Sequence, residues 1–272
     1  MIYHYTDLNA AKSITENAQI WLTDYRFLND KEEFKNGHEV LLDALNEYND
    51  YAGKYPQEFI DDIGKAVEFI RDRGSNEFTH NNIFVSSFSR TPDLLNQWRS
   101  YGMYCIELDE VFFRDDEVVV LDCHYLQDEG DALDYAILLI DDHILPNLMN
   151  VWKKNKLLLS LELSSLIDIY ALSFKHQAFF DENEIRFVIS CSPDEDRINF
   201  RTRGNLLIPY IPLAFEPQLL KSITIGPIDN QELACASLAM FLEKISRKVR
   251  QEQDDIEYCL VVENSELPYR KI

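Results

Sequence analysis

The sequence predicts an α+β fold in one domain. Strand-like and helix-like segments are mixed without a regular βαβ rhythm. No repeat, low-complexity tract or linker divides the 272 residues. A hydrophobic fraction of 46% with 12% aromatics is that of a globular chain with ample material for a core.

A short strand over 1–5 opens the chain and stops at Thr6-Asp7. Either residue can cap a helix to about Ala18, because Leu8, Ala11 and Ile14 fall at helical spacing. Ile20-Trp21-Leu22 reads as the next strand. Asp30 and Glu33 have capping-box spacing for a helix to about Tyr48. Pro56 suits the first turn of a helix over 56–73, whose buried stripe is Phe59, Ile63, Val67 and Ile70. This pair, about 30–74, reads as a helical insertion lying over the first strands.

Residues 83–88 form a strand, and 94–101 a short helix ended by Gly102. Further strands cover 103–108 and 118–125. Long helices over 131–150 and 157–178 make a second helical insertion, about 130–178. Strands follow over 182–189 and 198–200, then 205–211 broken by Pro209 and Pro212, then 222–225. A helix over 230–249 has Leu233, Ala236, Met240, Leu242 and Ile245 on or near one face, and 256–262 is the last strand.

Net charge is −22 and the pI about 4.6. That acidity repels a phosphate backbone at long range and suits a partner with a basic surface, although a small basic groove could still take a few nucleotides. Five scattered cysteines, odd in number and without CxxC, read as reduced and mostly buried thiols of a cytoplasmic protein. The opening MIYHYTDLNA lacks a signal-peptide pattern, and no apolar run reaches the roughly 20 residues of a membrane span, so no membrane is expected. No GxGxxG, P-loop, GxSxG or HExxH occurs, and the histidines show no mutual metal-ligand spacing, so no metal is expected.

The stretch 179–189, FFDENEIRFVI, is the most unusual. Glu182, Glu184 and Arg186 alternate, which on a strand puts all three on one face ahead of an apolar run. Such charges are costly unless paired or used, and the plain reading is an ion-pair ladder on an edge strand. His4 shares a strand face with Thr6; Ser87 and Ser89 end another strand; Trp98, Arg99 and Tyr101 share a short helix. Each also has a plain structural reading: a strand histidine, turn serines, a core indole. Together, carboxylates, aromatic platforms and hydroxyls suit cleavage of a glycosidic bond, where an acid steadies a sugar cation.

Six motifs in order, YHYT, LND-x-x-E, SFS with W-x-x-Y-G, E-N-E-I-R, I-x-I-G-P and S-x-x-P-Y-R, resemble the bacterial DUF2971 family of unknown function. They are Tyr3–Thr6, Leu28–Asp30 with Glu33, Ser87–Ser89 with Trp98 and Tyr101-Gly102, Glu182–Arg186, Ile223–Pro227 and Ser265–Arg270. Met103-Tyr104 is bulkier than that pattern expects.

A further resemblance is to ADP-ribosyltransferases, through a first-strand histidine, a serine-rich strand and a late E-x-E. Phe88 stands where their S-T-S has threonine, and the helical insertions exceed a minimal transferase. This resemblance implies a split mixed or antiparallel sheet with NAD as substrate in its cleft. It implies Glu184 and Glu182 as catalytic carboxylates. The NAD-binding set it implies is His4, Tyr5, Thr6, Asn29, Asp30, Ser87, Ser89, Trp98, Tyr101 and Arg186. It also implies a toxin or anti-phage effector acting on a protein or nucleic-acid acceptor, with an antitoxin or a basic protein as partner. Two other readings stand beside it: a non-catalytic sensor that binds a nucleotide or a protein, and an NAD glycohydrolase.

Overall fold

The computed structural model describes residues 1–28, 31–48, 53–73, 82–110, 117–253 and 256–267, with 31–33 described as backbone only. Chain order is β1 (Ile2–Thr6), α1 (Leu8–Asn17), β2 (Gln19–Asp24), α2 (Lys31–Asn46), α3 (Gln57–Arg73), β3 (Asn82–Ser89), α4 (Leu95–Tyr101) and β4 (Tyr104–Leu108). Then come β5 (Val119–Asp122), β6 (His124–Leu126), α5 (Glu129–Leu139), α6 (Leu145–Lys154), α7 (Leu159–Ala171), β7 (Phe174–His176) and β8 (Glu184–Cys191). The chain finishes with β9 (Asn199–Arg203), β10 (Leu206–Ala214), β11 (Leu220–Ile225), α8 (Gln231–Gln253) and β12 (Val261–Asn264).

Ten of the described strands form one mixed sheet that forks at β3. Along one edge β3 pairs with β8 throughout, from Asn82↔Cys191 to Ser89↔Glu184, and β5 lies beyond β8. On the other edge, the start of β3 meets β2 and its end touches β1 only at Tyr3↔Ser89. The branches run β2-β10-β9 and β1-β4-β11-β12, and only β11–β12 is parallel within this sheet. A second, two-stranded parallel sheet pairs β6 with β7.

Strand alternation sorts side chains into two cores. Ile185, Phe187 and Ile189 of β8 join Phe84 and Phe88 of β3 under α1 and α8. Val188 joins Ile83 and Val85 on the opposite face, against α2, α3 and α5–α7. Both helical segments expected as insertions therefore pack into one block on one face of the sheet. Each fully buried side chain of this kind contributes roughly 1.5–3 kcal/mol.

Several boundaries differ from expectation. The helix expected over 157–178 ends at Ala171, where Ser173 N–H bonds the Tyr170 carbonyl and the Arg186 guanidinium takes the Leu172 carbonyl. Residues 174–176 are then a strand, and Gln177–Glu182 a 3-10 turn. The helix expected over 131–150 is interrupted by a π-helical turn, Ile140–Ile144. The expected strand 118–125 divides into β5 and β6, which belong to different sheets. Pro209 and Pro212 do not break β10, which runs through both. The last strand is the shorter β12. The capping box on Asp30 and Glu33 lies outside the described residues. Among the described residues no helix is long and apolar enough to cross a membrane. Two of the five cysteines, Cys105 and Cys123, are buried, and none of the five forms a disulfide.

Candidate functional site

The turn Gln177–Glu182 and Asn183 carry the chain from β7 onto β8. Asn183 adopts φ 42, a left-handed conformation tolerated by asparagine, and this takes Glu182 off the strand. Glu182 thus stands on the turn and not in line with Glu184, contrary to the alternation expected. Its carboxylate nevertheless reaches the same cation. Lys175 on β7 places its ammonium 2.5 Å from Glu182 and in contact with Glu184. Arg186 Nε donates to Glu184 Oε1 at 2.7 Å, its second terminal nitrogen reaches Oε2 at 3.2 Å, and its first donates to the Leu172 carbonyl at 2.8 Å.

These four charges sum to zero and are buried; Glu184 is 7% exposed and Arg186 1%. Burial alone would push the Glu184 carboxyl up, but the Arg186 guanidinium and the Lys175 ammonium overcome it and hold it down at about 2. Burial would lower the Lys175 ammonium, and Glu184 reverses this to raise it. Backbone bonds complete the enclosure: Tyr125 hydroxyl accepts from Glu184 N–H at 2.7 Å, and Cys123 N–H donates to the Glu184 carbonyl.

The other sequence candidates divide between the faces. Tyr5, Ser87 and Ser89 share the Glu184 face through the registers Tyr3↔Ser89, Ser89↔Glu184 and Ser87↔Arg186. Ser89 Oγ donates to the Glu182 carbonyl at 2.7 Å and accepts from Thr91 N–H. His4 and Thr6 lie on the opposite face, since His4 is registered with Ile106 of the core under α1 and α8. At the fork, where β1 no longer pairs with β3, His4 Nδ1–H bonds the Ser87 carbonyl at 3.1 Å and the ring packs on Phe88. Burial lowers the His4 pKa, and the bond to Ser87 opposes that. His4 and Glu184 therefore do not meet across one cleft.

Trp98 is 1% exposed; its indole N–H bonds Asp93 and its ring meets Tyr5 edge-on at 4.8 Å. Tyr5 hydroxyl donates to the Thr91 carbonyl and accepts from Leu94 N–H. Both are interior anchors for α4. Tyr101 is exposed, at 47%. Asn29 and Asp30 lie outside the described residues.

An open groove of about 720 Å³ adjoins the buried quartet. Its walls are α4 and the segment before it, with Thr91, Leu95, Asn96, Arg99 and Ser100, and the turn, with Phe180, Asp181 and Asn183. Asn183 bonds Thr91 across it at 3.2 Å, and Arg90 N–H bonds the Asn183 carbonyl. Phe180 is 60% exposed and meets Tyr125 edge-on. Sequence reasoning missed Lys175, which sits in what reads as a helix, and Asp93. The Asp93 carboxylate accepts from Trp98, Ser265 and Glu266 N–H, tying the end of the described chain to α4. Comparison with known proteins finds no family model, no curated protein and no solved structure that matches the chain.

Proposed function

We propose that this protein is a binding module whose groove between α4 and the turn Gln177–Glu182 takes an anionic small molecule of the nucleotide class. The observation that carries this reading is the separation of charge chemistry from open space. Both Glu184 oxygens are engaged by Arg186 and Lys175 under burial, while the accessible volume lies beside Asn183. The groove offers what a nucleotide needs: an exposed ring in Phe180, a guanidinium in Arg99, and hydroxyl and amide groups in Thr91, Ser100 and Asn96. Its volume falls within the roughly 300–1,000 Å³ of small-molecule sites.

ADP-ribosyl transfer from NAD is the second reading. The adjacency of Ser89 and Glu184 on one sheet face favours it. It requires the turn to swing away and Lys175 to release Glu184. Calorimetric titration with ADP-ribose, and with NAD, tests the proposal. Saturable binding weakened about tenfold or more by Arg99→Gln is expected for a charge-assisted contact. Binding indifferent to that substitution would refute the groove as the site.

A further inference from the structure

The hairpin of β9 and β10 ends the sheet with chemistry at odds with the rest of the surface. Only β10 pairs with β9 among the described residues, so the outer edge of Asn199–Arg203 is open. Arg201 and Arg203 alternate on one face of that strand. Among the described residues Arg201 bonds Thr23 and no carboxylate bears on its charge, in a chain with 48 acidic and 26 basic side chains.

The environment of Arg201 is well built. Its guanidinium lies 5.6 Å from the centre of the Trp21 ring and donates to Thr23 Oγ1 at 2.9 Å, while Nε is buried without a hydrogen-bond partner among the described residues. Trp21 is stacked on Tyr210 at 4.3 Å. Burial lowers the Arg201 pKa and so does Arg203; no carboxylate is among its influences. The other face of the hairpin exposes two large apolar side chains, Phe200 at 62% and Leu207 at 63%, beside Thr202 and Pro209.

A bare edge, basic on one face and apolar on the other, matches one kind of occupant. We infer that β9 is a docking edge for an extended protein segment that alternates acidic and apolar residues and adds to the sheet as its next strand. Backbone groups of β9 would pair with the segment, its acids would meet Arg201 and Arg203, and its apolar side chains would cover Phe200. Arginines on an edge strand also discourage self-association. Here, however, Arg201 is held against Trp21 and Thr23 with a buried donor unused, which a purely repulsive guard does not need. Single-stranded nucleic acid fits less well. The Trp21 ring is already stacked by Tyr210 on one side and faced by the Arg201 guanidinium, so it is not a free platform for a base.

The test uses the full chain and a fluorescein-labelled peptide of alternating glutamate and valine, about eight residues long, read by anisotropy. Saturable binding is expected, weakened about tenfold or more in Arg201→Gln/Arg203→Gln and lost with a peptide N-methylated at alternate positions. Arg203→Gln alone changes an exposed side chain and should weaken binding in the same direction with the fold intact. Absence of saturable binding, equal binding of the N-methylated peptide or of one with lysine for glutamate, or tighter binding of oligothymidylate would each overturn the inference.

Discussion

Lys175 Nζ stands 2.5 Å from Glu182 Oε2, and this contact fastens the turn Gln177–Glu182 over the start of β8. Lys175 also contacts Glu184, which Arg186 holds from its other side. The wall of the groove thus rests on a buried, neutral set of charges in which each member satisfies another.

Removing one member leaves an uncompensated charge in a dry site. Lys175→Met should cost about 3–5 kcal/mol in urea unfolding, the usual range for a broken buried pair. Lys65→Met, at an exposed surface pair with Asp62, should leave the urea midpoint close to that of the parent. Equal small losses would mean that water reaches the cluster.

Acid should loosen the same region. The Glu184 carboxyl is held at about 2, below its unfolded value of roughly 4.3. A depressed folded pKa gives stability that is present above the unfolded pKa and lost as pH falls toward 2. Urea midpoints from pH 5 to 2 should therefore fall less steeply in Glu184→Gln than in the parent. Parallel slopes would contradict the assignment.

Asp168 behaves in the opposite sense. It is buried on α7, 3.4 Å from His38 on α2, with Oδ2 lacking a hydrogen-bond partner among the described residues. Burial pushes its carboxyl up to about 7 and lowers the His38 imidazole. A raised folded pKa gives stability that is full below the unfolded value of about 4 and lost as pH rises through about 7. Asp168→Asn should flatten that decline and gain about 1–3 kcal/mol at pH 8. An unchanged pH profile would count against it.

Gly102 joins α4 to β4 at φ 135, and a Cβ there would sit 2.4 Å from the Thr6 carbonyl oxygen. The three nearest atoms are all backbone of Thr6 and Asp7, with no flexible group to yield. Gly102→Ala should cost about 2 kcal/mol or more in thermal or urea unfolding. A near-neutral effect would mean that β1 and β4 can separate there.

Much of the fold is written in local pattern. Asp7 caps α1 with bonds to Asn9 and Ala10 N–H, as the T-D break suggests, and Ile185, Phe187 and Ile189 mark the buried face of β8. What escapes local pattern is settled by distant partners. Nothing within 157–178 announces that Arg186 ends α7 at the Leu172 carbonyl. Periodicity on β8 cannot foresee that Asn183 turns Glu182 off the strand, nor that Lys175 meets it there. His4 and Ser89 belong to neighbouring strands, yet alternation puts them on opposite faces, which register alone decides.

The most direct test of a groove that binds while Glu184 stays sequestered is incubation of the pure protein with NAD. Bound NAD and released nicotinamide are measured together, in the parent and in Glu184→Gln. The account predicts saturable binding without nicotinamide release in either protein. Nicotinamide release by the parent that is abolished in Glu184→Gln would contradict it and would establish Glu184 as a catalytic acid.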